Sequence, residues 1–350
     1  MGDQGQREGV ENTDKFADKI DEIRTVTSTD SAHLYKDSNC EKLKIVLDDA
    51  KKVVWGQDKL LKSILASIVC NGHLLIEGLP GLGKTLSVST ISKLCDLKFK
   101  RIQFTPDLLP ADLIGTLIFV PGETDFKVKF GPLFTQILLA DEINRAPPKV
   151  QSALLEAMEE RQITIGDKTY LLDLPFVVLA TQNPIEHEGT YPLPEAQVDR
   201  FMMKINLSYP DFENEKNIFE NCRDVLSNFV PILNVEDLSL ITAKVDSIFV
   251  DPKIKELIVK IVHATRPGTA LFDTNYNKII TMGASPRAGL WLYRLAKFNA
   301  FFCGCEFVTP EHIYEIIPDV LGHRIYLSYE AVMEKINSRE IATKIAQKIL

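Results

Sequence analysis

No stretch of this 350-residue sequence approaches the roughly 18 consecutive apolar residues that a membrane-spanning helix requires. The first residues also lack the apolar core of a signal peptide. There is no excess of positive charge either, since 48 acidic residues outnumber 40 basic ones and give a formal net charge of −8. Because nucleic-acid binding depends on a basic surface, this balance argues against nucleic acid as the main partner. We therefore expect a cytoplasmic protein with no membrane span.

Cysteine is scarce, with six residues in the whole chain. Cys303 and Cys305 are separated by a single residue, which is too close for a typical zinc pair, and no matching Cys/His pair follows them. Most of the cysteines lie within apolar or helical patterns. The sequence therefore favours structural thiols in a reducing compartment. The six are Cys40, Cys70, Cys95, Cys222, Cys303 and Cys305.

One glycine-rich stretch, Gly78–Thr85, matches the phosphate-loop pattern G-x-x-x-x-G-K-[ST]. The apolar run Leu74–Ile76 predicts a buried strand before it, and Leu86–Leu94 predicts a helix after it. Glycines let backbone N–H groups close around phosphate oxygens, and the helix adds its positive N-terminal end. A glycine-rich turn with a chance Lys-Thr is the alternative, which this strand–loop–helix context disfavours. The residues predicted to bind the nucleotide here are Gly78, Pro80, Gly81, Leu82, Gly83, Lys84, Thr85 and Leu86.

Two adjacent carboxylates end the apolar run Ile137–Ala140. We expect Asp141 to bind Mg²⁺ through water and Glu142 to act as the general base on the attacking water. Together with Thr85, whose hydroxyl would hold Mg²⁺, Asp141 completes the predicted metal site. Two solvated acids at a strand end are the alternative, which the preceding phosphate loop makes less favourable.

Two polar residues have roles that spacing alone leaves open. Asn183 lies just beyond the predicted strand Phe176–Ala180, where its amide would orient the water near the γ-phosphate or else only cap the turn before Pro184. The stretch Val54–Gln57 lies upstream of the phosphate loop. It would contact the adenine through Gln57, or it would form only a turn before a helix.

A later helix places a cation against its own dipole. Ser285 is suited to the N-cap and Pro286 to the first helical position, so Arg287 falls in the first turn. A positive charge is unfavourable there, which predicts an anionic partner for Arg287. A surface arginine is the alternative.

The order of apolar runs predicts an α/β fold. Five strands separated by helices indicate a parallel sheet covered on both faces, with ligands at the carboxyl ends of the strands. Two hairpins are predicted, at Leu117–Phe130 and Gln162–Leu172. Strand patterns stop near residue 210. We therefore predict a polar N-terminal extension at 1–37, a nucleotide-binding domain at 38–210 and a helical domain at 211–350. The strands are His73–Ile76, Phe99–Phe104, Ile137–Ala140, Phe176–Ala180 and Met202–Leu207, and the late helices are Glu213–Leu226, Val235–Val245, Lys253–Thr265, Arg287–Phe302 and Pro310–Val320.

Taken together, these motifs resemble the AAA+ ATPases and, more narrowly, the MoxR family. The resemblance runs from about residue 38 to the end of the chain and implies a P-loop core followed by a smaller, all-helical lid domain. The stretches that carry it are Gly78–Thr85, Leu138–Lys149, Ala180–Pro184, Leu193–Phe201, Gly283–Arg287 and His323–Glu330.

The resemblance implies a role for each predicted site residue. Lys84 and Thr85 are similar to the Walker A pair. Asp141 and Glu142 are similar to the Walker B pair, and Asn183 to sensor 1.

It also implies roles for several arginines and for both hairpins. Arg287 is similar to sensor 2, and Arg200 to the arginine finger that completes the neighbouring subunit's site, with Arg145 as a rival for that role. The hairpins Leu117–Phe130 and Gln162–Leu172 are similar to elements that face the central pore of a ring.

The family implies a hexameric ring that uses ATP and Mg²⁺ to remodel client proteins or insert metal cofactors, often with von Willebrand factor A domain partners. ATP rather than GTP follows from the resemblance, since no N-K-x-D guanine motif accompanies the loop. One alternative is a nucleic-acid-stimulated ring motor that contacts phosphates through Lys127, Lys129 and Lys168. Another is a nucleotide-gated scaffold with negligible turnover.

Overall fold

Strands and helices alternate through the first half of the chain, and helices dominate the second. A computed structural model describes residues 37–119, 126–184, 189–220 and 229–349. The predicted extension 1–37 (except Asp37), the turn of the first hairpin and the end of predicted helix 213–226 lie outside these residues.

The α-helices are α1 Ser38–Lys51, α2 Asp58–Val69, α3 Lys84–Leu94, α4 Pro110–Ile114, α5 Pro148–Glu160, α6 Glu195–Val198, α7 Phe212–Glu220, α8 Val235–Ser247, α9 Pro252–Ala264, α10 Pro286–Cys303, α11 Pro310–Tyr314, α12 Ile317–Leu321, α13 Tyr329–Met333 and α14 Ser338–Ile349. The strands are β1 Leu74–Glu77, β2 Phe99–Gln103, β3 Gly115–Phe119, β4 Phe126–Phe130, β5 Ile137–Asp141, β6 Gln162–Ile165, β7 Lys168–Leu171, β8 Val177–Gln182, β9 Met203–Asn206, β10 Ile280–Met282 and β11 Tyr326–Leu327.

The central sheet has five strands in the order β2-β5-β8-β1-β9, and every pair is parallel. This confirms the predicted α/β class with a five-stranded parallel sheet. Because β8 lies between β5 and β1, the carboxyl ends of these three strands are neighbours. The loops that follow them therefore share one edge of the sheet, where ligands of open α/β sheets bind.

Both faces of this sheet are buried, and alternate residues of each strand face opposite sides. On one face, Leu74 and Ile76 pack with helices α1 to α3 and the C-terminal helices. On the other face, Leu75 packs in a second apolar cluster with residues of α4 and α5. Two cores therefore hold the sheet from either side, which fixes the positions of the strand ends.

Two antiparallel hairpins are inserted into this α/β framework, and both were predicted. β3 pairs with β4, and β6 pairs with β7. Gly115 begins the first hairpin with φ of 106°, and a Cβ atom there would lie 2.3 Å from the carbonyl oxygen of Lys129. Only glycine fits this position.

The described residues after 210 are largely helical, as the sequence patterns predicted. Ser285 is the N-cap of α10 and accepts a hydrogen bond from the N–H of Arg287, so that prediction is confirmed. The predicted helix Pro310–Val320 is instead two helices, because Pro318 lacks the N–H needed to continue one. A short antiparallel pair, β10 with β11, was also not predicted, since strands of two or three residues leave no recognisable pattern.

The described residues from Asp37 onward form one compact unit, because α1 and α2 pack against α8 and α10 as well as against α3. The domain boundary near residue 210 stays a prediction. Among the residues that the structure describes, no helix is both long and apolar enough to cross a membrane.

Candidate active site

The phosphate loop connects the end of β1 to the start of α3. Gly81 and Gly83 have φ of 83° and 76°, a left-handed conformation that glycine adopts without strain. A Cβ atom at either position would meet nothing within 4 Å, so the loop borders open space. Thr85 and Leu86 lie in the first turn of α3, directly after Lys84. Backbone N–H groups of such a first turn lack helical partners and are suited to bind an anion.

The beginning of the loop is held against the neighbouring strand and the core. A Cβ atom at Gly78 would lie 2.9 Å from the Cβ of Leu207, so a larger residue would push the loop away from β9. Leu82 is buried and anchors the loop to the protein, whereas Pro80 is exposed at its outer side.

Lys84 lies close to the two acids at the end of β5. Its ammonium group donates a hydrogen bond to the carbonyl oxygen of Gly78 at 2.7 Å. Partial burial lowers the pKa of Lys84, and the charges of Asp141 and Glu142 oppose that shift. The structure therefore brings the predicted phosphate ligand and both predicted acids to one edge of the sheet.

Asp141 is largely buried, and its charge is compensated from two sides. Arg101, on the neighbouring strand β2, donates hydrogen bonds to its Oδ2 from Nε at 3.1 Å and from Nη2 at 2.7 Å. Thr181, at the end of β8, donates to its Oδ1 at 2.6 Å. Sequence reasoning missed both partners, although Thr181 lies only two residues before Asn183.

Glu142 has φ of 57°, which is unusual for a residue other than glycine. Its N–H donates to the hydroxyl of Thr181 at 2.9 Å, so one buried hydroxyl positions both acids. Its carboxylate accepts hydrogen bonds from Gln103 at 2.6 Å and from Arg145 at 2.9 Å. Arg145, the rival candidate for an intersubunit role, thus contacts the acid of its own subunit.

Asn183 and Gln57, the two other residues predicted to contact the nucleotide or its water, are both buried. Asn183 directly follows β8 and is buried between the strand ends of β5 and β1. Gln57 is buried as well, and its Nε2 donates to the carbonyl oxygen of Ser208 at 3.3 Å. The turn that contains Gln57 therefore lies against the segment that leads from β9 into α7.

Arg200 and Arg287 lie elsewhere, at the opposite edge of the sheet. Both contact the carboxylate of Glu159, Arg200 at 2.9 Å. Glu159 is near the end of α5, and the cavity that it lines with both arginines also includes His73, which precedes β1. Since the phosphate loop follows β1, a strand length of about 13 Å separates the two groups. The structure does not bring either arginine to Lys84 of its own chain.

A buried ion pair positions these two arginines. Arg324 is only 1% exposed and donates from Nε to Asp199 at 2.8 Å, while other guanidinium N–H groups donate to backbone carbonyls. Asp199 also accepts a hydrogen bond from Ser285, the N-cap of α10. Because Asp199 precedes Arg200 and Ser285 lies two residues before Arg287, one carboxylate ties both segments together. Sequence reasoning gave Arg324 no role.

The inserted hairpins expose apolar side chains. Phe119 and Phe126 are 61% and 63% exposed and form an edge-to-face pair with ring centroids 5.9 Å apart. Leu171, at the end of the second hairpin, is 78% exposed. A Cβ atom at Gly166 would lie 2.9 Å from Leu117, so the two hairpins are in contact. Together they present an apolar surface outside both cores.

The chain is similar to known ATPases and to chaperones of the MoxR type. Residues 73–203 match the family model "ATPase family associated with various cellular activities (AAA)", and residues 273–345 match "AAA lid domain". The chain is 43% identical to Chaperone MoxR1 of Mycobacterium tuberculosis over 86% of this chain and 80% of that protein. It is 31% identical to Protein MoxR of Methylorubrum extorquens over 79% and 85% of the two chains. A crystal structure from Cytophaga hutchinsonii is similar with a TM-score of 0.82 and 49% identity, over 89% of this chain and 94% of that one.

Proposed function

Since this chain belongs to the MoxR family of AAA ATPases, we propose that it hydrolyses ATP as a hexameric ring in the cytoplasm and uses the cycle to remodel client proteins. One observation carries the proposal. Lys84, Asp141 and Glu142 meet at the carboxyl edge of the sheet, beside a loop whose glycines border open space.

The residues present fit a magnesium–nucleotide complex. The left-handed Gly81 and Gly83 leave room for phosphate groups beside the first turn of α3. Lys84, which now contacts a carbonyl oxygen, has a charge free to meet the β- and γ-phosphates. Thr85 and Asp141 supply the hydroxyl and carboxylate oxygens that magnesium prefers, and magnesium when bound neutralises charge on the phosphates.

Glu142 acts as the general base on the attacking water. Its backbone conformation and its contacts with Gln103 and Arg145 hold the carboxylate at the mouth of the site. Thr181 fixes the position of Glu142 relative to Asp141, because its hydroxyl is hydrogen-bonded to both residues. Asn183, between the two strand ends, orients the water beside the γ-phosphate.

Arg200 and Arg287 act on the nucleotide of a neighbouring subunit. They share Glu159 at the edge of the sheet opposite to Lys84, so their own nucleotide is out of reach. A surface that contacts a different surface on the next copy produces head-to-tail association, which closes into a ring when the rotation permits. Arg200 is the trans-acting finger in this scheme, since Arg145 is held against Glu142 of its own subunit.

The two hairpins contact the client. Phe119, Phe126 and Leu171 supply exposed apolar area of the kind used for protein recognition. The MoxR family suggests clients or partners with von Willebrand factor A domains and, for some clients, insertion of a metal cofactor. A nucleic-acid motor is less favoured, because the chain is acidic and the hairpins expose large apolar side chains beside their exposed lysines.

The first experiment tests Glu142→Gln, which keeps the shape and removes the basic group. We expect ATP binding, measured by calorimetry, to be unchanged, and single-turnover hydrolysis to fall by about 10²- to 10⁴-fold. Hydrolysis at the parent rate would refute this role of Glu142. Negligible single-turnover hydrolysis by the parent itself would favour a nucleotide-gated scaffold.

The second experiment mixes two inactive variants. Arg200→Ala removes the proposed finger, and Glu142→Gln removes the proposed base. In mixed rings, an intact base and an intact finger meet at some interfaces, so part of the activity should return. Activity that stays at the level of the separate variants, in assemblies shown to be mixed, would exclude a finger that acts in trans.

A further inference from the structure

Four arginines line one cavity of about 260 Å³ at the amino edge of the sheet, called here the arginine pocket. Glu159 is the single carboxylate among its lining residues, and it pairs with two of the four, Arg200 and Arg287. The other two, Arg161 and Arg294, form no ion pair with any carboxylate in the described part of the chain. Arg161 donates to the carbonyl oxygen of Asn71 at 3.1 Å. Asp199, just outside this lining, also lies 3.9 Å from Arg287, so the lining residues alone have a formal net charge of +3.

The unpaired arginines repel each other. Burial lowers the pKa of Arg161, and the charge of Arg294 lowers it further. Arg294 lies over the ring of Trp291, with its guanidinium carbon 5.3 Å from the ring centre, and is otherwise exposed. Like charges placed together in an open cavity of an acidic protein indicate a partner that is negatively charged.

A surface of the opposite charge lies on α7, together with Asp211, and is called here the acidic helix. Asp211, Glu213, Glu215 and Glu220 give four negative charges and Lys216 one positive charge, for a total of −3. Glu213 and Glu215 have no cationic partner among the residues that the structure describes.

The acidic helix also exposes apolar residues and buries none of its own. Phe212 and Phe219 are 79% and 84% exposed. Seven residues apart, they lie on the same side of the helix, with Glu215 between them. The arginine pocket offers a matching apolar element, since Leu290 is 63% exposed beside Trp291. The two surfaces therefore complement each other in polarity as well as in charge.

These surfaces cannot meet within one chain. The acidic helix follows β9, and Leu207 after that strand donates to the carbonyl oxygen of Glu77 at 2.8 Å, just before the phosphate loop. The arginine pocket includes His73 at the other end of the same β1 strand. Surfaces at opposite edges that match in charge fit head-to-tail association of identical copies.

We propose that the arginine pocket of one subunit receives the acidic helix of the next subunit, with Arg294 facing Glu215. This rests on the proposed ring and names the surfaces that build it. Arg294 lies seven residues beyond Arg287 on α10, which is about 10 Å along the helix. Arg287 therefore reaches the neighbour's phosphates while Arg294 contacts the helix beside that nucleotide site.

Charge reversal tests this pairing in the full chain with ATP and magnesium. Sedimentation velocity would measure the concentration for half-assembly of Arg294→Glu, Glu215→Arg and the double variant. We expect each single reversal to raise that concentration by about tenfold or more, and the double variant to recover most of the loss. Lys253→Glu and Glu334→Arg make the same charge changes at exposed sites elsewhere and should assemble as the parent does.

Three other outcomes would contradict the proposed interface, and one of them would also contradict the ring. If the parent assembles and the single reversals assemble equally well, the interface is wrong while the ring stands. If both reversals weaken assembly and the double variant recovers nothing, these two surfaces do not contact each other. If the parent stays monomeric with ATP and magnesium at every concentration, both the interface and the proposed ring fail. Unchanged thermal unfolding midpoints in the variants would show that folding is intact.

Discussion

Arg101 holds one oxygen of Asp141 through two hydrogen bonds, at 2.7 and 3.1 Å, in the place where a metal ligand is predicted. The side chain of Asp141 is 13% exposed, so its charge needs a partner, and the half-exposed Arg101 supplies one. A divalent cation that binds Asp141 must compete with this guanidinium. We therefore expect the ion pair to raise the magnesium concentration that the site requires.

Replacing Arg101 by methionine should make the site more responsive to magnesium. The competing charge is gone, so Mg²⁺ should raise the unfolding midpoint of the ADP-bound protein at lower concentrations than in the parent. The nucleotide-free protein should lose up to about 1 kcal/mol of stability, since Arg101 is half exposed and solvent screens the pair. Differential scanning fluorimetry across a magnesium titration measures both effects.

Lys100→Met is the matched control, because it removes a charge from the adjacent position of the same strand without touching Asp141. It should leave the magnesium titration unchanged. A titration curve for Arg101→Met that overlays the parent curve would show that the ion pair does not compete with the metal.

Thr181 links the two acids, so its hydroxyl should matter for turnover more than for binding. It donates to Asp141 at 2.6 Å and accepts from the N–H of Glu142 at 2.9 Å, and it is fully buried. Thr181→Val keeps the shape and removes both bonds. We expect kcat for ATP hydrolysis to fall by roughly 10- to 100-fold, the range seen when partners of metal ligands are lost.

Thr181→Ser retains the hydroxyl and should keep most of the activity, which separates the hydrogen bonds from the packing of the methyl group. Nucleotide binding by calorimetry should be the same in all three proteins. Equal kcat for the valine and serine variants would mean that Thr181 does not position the acids.

Much of this site could be predicted because its chemistry is local in sequence. The loop before Lys84 and the acids at the end of β5 follow apolar runs whose parallel pairing brings their ends together. Arg101 could not be assigned, because β2 is an edge strand with charges on both faces, and nothing in its pattern selects Asp141, 40 residues away. Arg324 depends on a contact across 125 residues, which only the packed lid reveals.

The same reasoning applies to the fold. The five sheet strands and both hairpins could be predicted, since long apolar or alternating runs specify them. The break before Pro318 and the pairing of β10 with β11 depend on short segments and lid packing instead. A family resemblance implied that Arg200 acts on a neighbouring subunit, but its position at the opposite edge of the sheet was not predicted, because a sequence does not show which edge of a sheet a loop joins.

The buried pair of Arg324 and Asp199 should contribute strongly to stability. Burial lowers the pKa of Arg324, and the carboxylate of Asp199 opposes this shift. Arg324→Met would leave Asp199 without its main counterion, at a cost of about 3–5 kcal/mol in the free energy of unfolding by urea. Arg294→Met, at an exposed position, should change it by less than about 0.5 kcal/mol. A similar small loss at both positions would contradict a structural role for the pair.

His73 should make the protein less stable as the pH falls. Its Nδ1 accepts from the N–H of Val178 at 3.0 Å and its Nε2 contacts the carbonyl oxygen of Met158 at 3.1 Å, an arrangement that only the neutral ring satisfies. Burial lowers its pKa from 6.5 to about 4. Between these values the unfolded chain binds a proton that the folded protein does not, so unfolding becomes easier as pH drops through 6.5 toward 4.

Urea unfolding at pH 7.5 and at about pH 4.5 should therefore differ by a contribution from His73 on the order of 3 kcal/mol. His323 is also buried with a lowered pKa, so the parent's total change includes both rings. His73→Gln isolates the first contribution: it should be less stable than the parent at pH 7.5 but lose less on acidification. His263→Gln, on the exposed side of α9, should follow the parent at both values. If His73→Gln loses as much stability on acidification as the parent, the ring takes up its proton in the folded state, and the two hydrogen bonds do not hold it neutral.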